Sequence, residues 1–163
     1  MYLAIRDYFF ATYFKSFDEG LKELQINSIE LYVSKKLTTD FFLKLDLTTS
    51  NGIKNLKEEL KKRNLNVCTV LLENDFAAEN IAEEIEYAVN GCKIAKEIGV
   101  DVVRINALMR ERENFKLEDY INVSVDAIKK TLDKTKDLNV SLAMENHGVI
   151  ANRREFVRNL IST

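Results

Sequence analysis

Proline is absent from this chain, histidine occurs once, and cysteine occurs twice. Cys68 and Cys92 stand far apart among apolar neighbours without the spacing of a metal site, so both read as buried free thiols rather than a disulfide framework. No apolar run approaches membrane-spanning length, and Met1 leads into "YLAIRDYFF" without a basic region and a cleavage site. A cytoplasmic protein is therefore the expectation. Basic and acidic residues, 24 and 26, are well mixed and leave a formal charge of −2, which offers no nucleic-acid footprint. No glycine-rich loop follows the first apolar stretch, where "DYFFATYFKS" stands instead, so classical dinucleotide binding is not expected. Asp7 stands there without the acidic cluster of a response-regulator receiver. No low-complexity linker divides the chain, and residues 1–163 read as one domain.

What is present is ordinary for a soluble globular protein, with 46% hydrophobic and 31% charged residues. At 163 residues the chain can build a core without staples. Extended apolar stretches alternate with amphipathic helices. "YLAIRDYF" reads as a first strand, followed by a helix with Phe17, Leu21 and Leu24 on one face and Ser16 or Asp18 as its cap. "SIELYV" reads as the second strand, and the helix behind Asn51-Gly52 carries Ile53, Leu56 and Leu60 inward. "NVCTVLL" is the third, before a long helix from about residue 78 to Ile98, striped by Ile81, Ile85, Ala88, Cys92 and Ala95 and ended by Gly99. "VDVVRINAL" is the fourth, and the next helix points Ile121, Val125, Ile128 and Leu132 inward. "NVSLAME" is the fifth, and "NRREFVRNLI" closes as a helix. Residues 34–50 read as a long loop with local extended structure around "FLKLDL".

Five βα units in a row imply parallel strands joined by right-handed crossovers. Two architectures fit that pattern: a five-stranded doubly wound, flavodoxin-like sheet, or a (β/α)₈ barrel of about 250 residues represented only by its first five units. Both place chemistry at the C-terminal strand ends. Strand alternation puts Glu30 with Tyr32 on one face of the second strand, Arg104 with Asn106 on one face of the fourth, and Glu145 with His147 together if the fifth strand persists that far. Such a set suits a polyol or a phosphorylated sugar. An arginine within an apolar strand needs partners, and a purely structural pair between Arg104 and Glu30 or Glu145 accounts for it equally well. Glu73, Asn74 and Asp75 end the third strand and read as the lead into the long helix.

"GCKIAKEIGVDVVRINA", followed one helix later by "NVSLAMENHGV", resembles the xylose isomerase-like barrel family, which includes sugar-phosphate isomerases and epimerases and related abasic-site endonucleases. "INSIELYV" is similar to that family's second strand. The resemblance implies an incomplete TIM-type barrel. It implies Glu145 as ligand to a divalent cation (Mn, Mg, Zn or Co) and as a catalytic group, with His147 and Glu30 beside it. Arg104, Asn106 and Asn146 would then bind substrate. The family's other metal ligands come from strands six to eight, beyond those read here, and Cys68 and Thr69 stand where some members carry a histidine. The implied activity is metal-assisted proton transfer on a sugar or sugar phosphate, inactive in the chain by itself. The alternatives are a non-catalytic split-barrel subunit that binds a partner chain or a sugar, and endonuclease-like phosphodiester hydrolysis. Open first and fifth strands predict a homo-oligomer or a partner chain completing the barrel.

Overall fold

The structure is a computed structural model and describes residues 3–162. Its strands are β1 (Ile5–Arg6), β2 (Ser28–Tyr32), β3 (Asn66–Leu71), β4 (Val102–Asn106) and β5 (Ser141–Glu145). Its helices are α1 (Asp7–Tyr13), α2 (Phe17–Leu24), α3 (Ser50–Lys62), α4 (Ile81–Ile98), α5 (Leu117–Thr135), α6 (Gly148–Ala151) and α7 (Arg154–Ser162). The strands form one sheet, all parallel, in the order β1-β2-β3-β4-β5. Strictly sequential order is what a barrel wall has, whereas a doubly wound sheet reverses direction from its first strand. The flavodoxin-like alternative is thereby overturned.

Local chemistry explains most element boundaries. Ser16 caps α2 by accepting from the Glu19 N–H, Thr49 caps α3 through Gly52, and Asn80 caps α4 through Glu83. Gly99 ends α4 in the left-handed region, at φ 77°. The first strand is much shorter than the sequence pattern suggests. Tyr2 lies outside the described residues, only Ile5 and Arg6 pair with β2, and the chain turns helical at Asp7. The cause is the Asp7 side chain. Its Oδ1 accepts the Tyr8 N–H at 2.9 Å, starting the helix, and its Oδ2 accepts the Tyr32 N–H at 3.1 Å. A carboxylate thus meets the β2 donor that a longer first strand would have satisfied.

Five further readings are corrected. Helix α3 begins at Ser50 and contains Asn51-Gly52 rather than following them, and α4 begins at Ile81, so residues 73–75 belong to the loop before it. Residues 34–49 form turns with one antiparallel bridge, Thr38 to Asp46, in place of an extended stretch. Leu24 is exposed rather than inward. On α5 the fully buried line is Tyr120, Ser124, Ala127, Thr131 and Thr135, while Leu132 is exposed. Thr131 and Thr135 hide their hydroxyls by donating to the carbonyls of Ala127 and Thr131, so polar-looking positions pack against the interior.

The core lies between the sheet and its helices. Ile29, Leu31, Val67, Val70, Val103 and Ile105 pack with Leu56, Ile85, Ala88, Cys92 and Ala95 from the helices. Both cysteines are free, Cys92 buried and Cys68 half-buried. Phe10 joins this core through Phe17, with ring centroids 4.4 Å apart. The other face of the sheet carries the polar residues.

Candidate functional site

Residues opposite one another in a parallel ladder point to the same face. The register aligns Arg6 with Glu30, Glu30 with Thr69, Leu71 with Arg104, Arg104 with Ala143, and Asn106 with Glu145. Tyr32 aligns with Leu71 and joins the same face. The face away from the helices therefore carries guanidiniums, carboxylates and an amide, concentrated toward the C-terminal strand ends.

Two ion-pair groups organise it. Arg104 places Nη1 at 3.0 Å from Glu145 Oε2 and 3.8 Å from Glu30 Oε2. Arg6 holds Glu73, with Nη2 at 2.5 Å from Oε1, and lies over the rings of Tyr32 and Tyr8 at 5.5 and 5.8 Å. Burial, aided by the negative charges of Glu73 and Asp40, pushes the Tyr32 phenol up to about 12. Burial likewise raises the Cys68 thiol, and nearby Glu30 adds to the effect. Behind β1, burial lifts the Asp7 carboxyl to about 7, against the opposing pull of its two N–H donors. Arg6 Nε, Arg104 Nε and Asn106 Oδ1 are buried without a hydrogen-bond partner. Asn106 is only 3% exposed, and its Nδ2 donates to Met109 Sδ.

The structure thus brings together Glu30, Arg104, Asn106 and Glu145 from three different strands. Asn146 and His147 are exposed beyond the end of β5. Asn146 Nδ2 donates to Asn152 Oδ1, and Asn152 donates to the Gly148 carbonyl, so Asn146 braces the turn into α6. His147 is the N-cap residue of α6, with no side-chain capping bond. At Gly148, φ is 77°, and an added Cβ would stand 2.9 Å from the Leu108 carbonyl oxygen. This close approach fixes where the chain turns away after Glu145.

Arg6 was not among the residues singled out from the sequence, and Glu73 was read there only as a residue between the third strand and the long helix. Arg6 carried the signal that drew attention to Arg104, a guanidinium inside an apolar run. Asp75, read from the sequence in the same way as Glu73, does more than lead into the helix. It is buried, accepts the Ala77 and Met109 N–H groups on one oxygen, and pairs with Arg110 on the other. It ties the loop after β3 to the loop after β4. Its own N–H donates to buried Glu84, which Lys35 also reaches.

A parallel sheet in barrel order, with ionisable groups at its C-terminal strand ends, defines a TIM-type (β/α) architecture. The family model for the xylose isomerase-like TIM barrel matches residues 19–161, and the chain belongs to that family. Among solved structures it is similar to the IolI protein with a binding zinc atom, at 19% identity and TM-score 0.71, covering 99% of this chain and 58% of that one. It is similar to a D-tagatose 3-epimerase-like protein at 13% identity and TM-score 0.68, covering 99% and 60%. It is also similar to D-psicose 3-epimerase from Clostridium cellulolyticum H10 at 11% identity and TM-score 0.66, covering 98% and 60%. No curated protein matches the chain. The chain spans about 60% of the length of these structures, as an incomplete barrel of five βα units does. Among the described residues, no helix is long and apolar enough to cross a membrane.

The divalent cation implied by the family resemblance finds no matching donor set here. Among the described residues, no group of three or more His, Cys, Asp or Glu is placed to hold a metal ion. Glu145 already faces the Arg104 guanidinium at 3.0 Å. A divalent cation there would compete with a fixed positive charge for one carboxylate and leave most of its coordination sphere to water. Calorimetric titration of the 163-residue chain with Mn²⁺, Mg²⁺ and Zn²⁺ should accordingly show no tight stoichiometric site. Submicromolar binding abolished by Glu145→Ala would contradict this.

Proposed function

We propose that this chain carries the sugar-binding face of an isomerase or epimerase that moves a proton beside the carbonyl of a sugar or sugar phosphate. Glu145 and Glu30 are the carboxylates available to exchange protons. Arg104 and Asn106 bind substrate oxygens, the guanidinium being suited to a carbonyl oxygen on which negative charge develops. Asn146 and His147 form the rim. The observation that carries this reading is Arg104 held between Glu30 and Glu145 at neighbouring strand ends. The sugar epimerases among similar folds support it. With no complete metal-ligand set among the described residues, turnover by the chain alone is expected to be negligible.

The test is an amide NMR titration with millimolar D-fructose. The expected result is a set of shifts centred on Glu30, Arg104, Asn106 and Glu145, lost in Arg104→Met. An Arg104→Met variant that folds normally and binds equally well would overturn the assignment.

The face is open on both sides. β1 and β5 are sheet edges, and Ser141 and Ala143 of β5 are exposed. Unpaired backbone groups there favour pairing with a second copy or with a chain that completes the wall. Light scattering coupled to size exclusion should give at least twice the 18.8 kDa chain mass at micromolar concentration. A stable monomer would contradict this.

A further inference from the structure

The two open edges of the sheet are flanked by different helices, α2 beside β1 and α7 beside β5. Each βα unit repeats the same right-handed turn, so every helix meets its successor on the same side of its inward stripe. On α2 that stripe is Phe17, Gly20 and Leu21. Asp18 lies to one side of it and reaches Arg63 at the end of α3, Oδ1 standing 2.7 Å from Nε. At about 100° per residue, Glu19 and Glu23 fall on the opposite flank, turned toward the open β1 edge, and both are exposed. On α7 the inward stripe is Phe156, Val157 and Leu160, and the helix packs on α5. The flank where a successor would lie carries Arg154 and Arg158, both exposed, and Ile161.

These flanks complement each other. Glu19 and Glu23 stand one turn apart on α2, as Arg154 and Arg158 do on α7. Among the described residues, none of the four side chains belongs to an ion pair. Lys22 and Glu155, the charges of opposite sign on the same two helices, lie off these flanks. Each helix also returns the chain toward the N-terminal strand ends. Ile161, 77% exposed, therefore comes level with Leu24 and with Leu3, which is 71% exposed just before β1. A second copy set with its β1 beside β5, strands parallel, would oppose two carboxylates to two guanidiniums and cover these apolar side chains. Pairing β5 with β5 about a twofold axis would instead bring arginine flank to arginine flank, and pairing β1 with β1 would bring the glutamates together, both costly.

We propose that the chain associates with a second copy of itself head to tail, the β5 and α7 side of one copy docking on the β1 and α2 side of the next. The proposal rests on the open-edge reading above and names both the occupant and its orientation. Such a contact joins two different patches, and it repeats until the assembly closes.

Sedimentation equilibrium at about 50 mM salt, where exposed charges are weakly screened, tests the contact by exchanging charges. Arg154→Glu/Arg158→Glu and Glu19→Lys/Glu23→Lys should each weaken self-association at least about tenfold, because like charges then meet at every junction. Mixed in equal amounts, the two variants should recover the affinity of the natural chain to within about threefold, because each junction between them again opposes unlike charges. Arg158→Glu against Glu23→Lys, single changes away from the helix starts, should give the same pattern with a smaller effect, which keeps the test decisive should a double variant fail to fold. Association unchanged in either variant, or no recovery on mixing, would overturn the proposal. A loss confined to the arginine variant would do so by placing the contact between two β5 edges. A natural chain that stays at 18.8 kDa would overturn the open-edge reading itself.

Discussion

Replacing Gly52 with alanine should lower folding stability by about 3–5 kcal/mol, a large share of what a domain of this size possesses. A Cβ at this position would stand 1.7 Å from the Asp46 carbonyl oxygen and 2.7 Å from its carbon. Both are backbone atoms, so no rotamer change relieves the clash. The added carbon would also press on Thr49 Oγ1, 3.1 Å away, which caps α3 by accepting the Gly52 N–H. Asp46 is itself fixed, accepting from the N–H and hydroxyl of Thr48 and bridging to Thr38. The start of α3 and the loop beside the β2 strand end must therefore move together. Thermal unfolding should show a loss of about 10 °C or more, against little change for Lys54→Ala on the exposed side of the same helix. Equal melting temperatures for the two variants would refute the close approach.

The second large effect concerns pH. Burial raises the Asp7 carboxyl from an ordinary value of 3.8 to about 7. A raised acid pKa means that the native state keeps a proton the unfolded chain has already released. Stability from this group therefore falls as pH rises from about 4 to about 7 and is level above that, a total of about 4 kcal/mol. Asp7→Asn removes the titration. It also loses part of one hydrogen bond, because an amide nitrogen cannot accept the N–H of Tyr8 or Tyr32 as a carboxylate oxygen does. That loss is a constant offset of about 1 kcal/mol. Urea unfolding of both proteins between pH 5 and pH 8 isolates Asp7 from the other carboxylates. The variant should gain on the natural chain by a few kcal/mol across this range. A stability difference independent of pH would show that Asp7 ionises normally in the folded protein.

Much of the wall was legible because it rests on local signals. Apolar runs separated by amphipathic helices announced five parallel strands, Ser16 and Gly99 marked helix ends, and strand alternation placed Glu30 and Arg104 correctly. The rest depended on contacts distant in sequence. The shortness of β1 follows from a side chain bonding across 25 residues to Tyr32, which no periodicity reports. The Arg6–Glu73 pair joins groups 67 residues apart. The buried line of α5 was displaced because threonines that bond to their own helix look polar in sequence and pack as small, satisfied groups. His147 separated from Glu145 because pairing ends at Glu145 and the left-handed Gly148 turns the chain against Leu108. Alternation alone extends the strand too far.

The same arrangement bears on catalysis. Arg104 is paired with two carboxylates, so stability measurements on Arg104 variants report this brace and not the proposed sugar contact. A half-exposed pair of this kind contributes modestly to folding.

The most direct test is a crystal structure of the chain soaked in D-fructose. Sugar density is expected at the C-terminal ends of β2, β4 and β5, with hydroxyl oxygens within hydrogen-bond distance of Arg104, Asn106 and Glu145. Arg104 would still touch a carboxylate, and Asn106 Oδ1 would gain a donor. Density confined to the helix side of the sheet, or an empty strand-end face at saturating sugar, would contradict it.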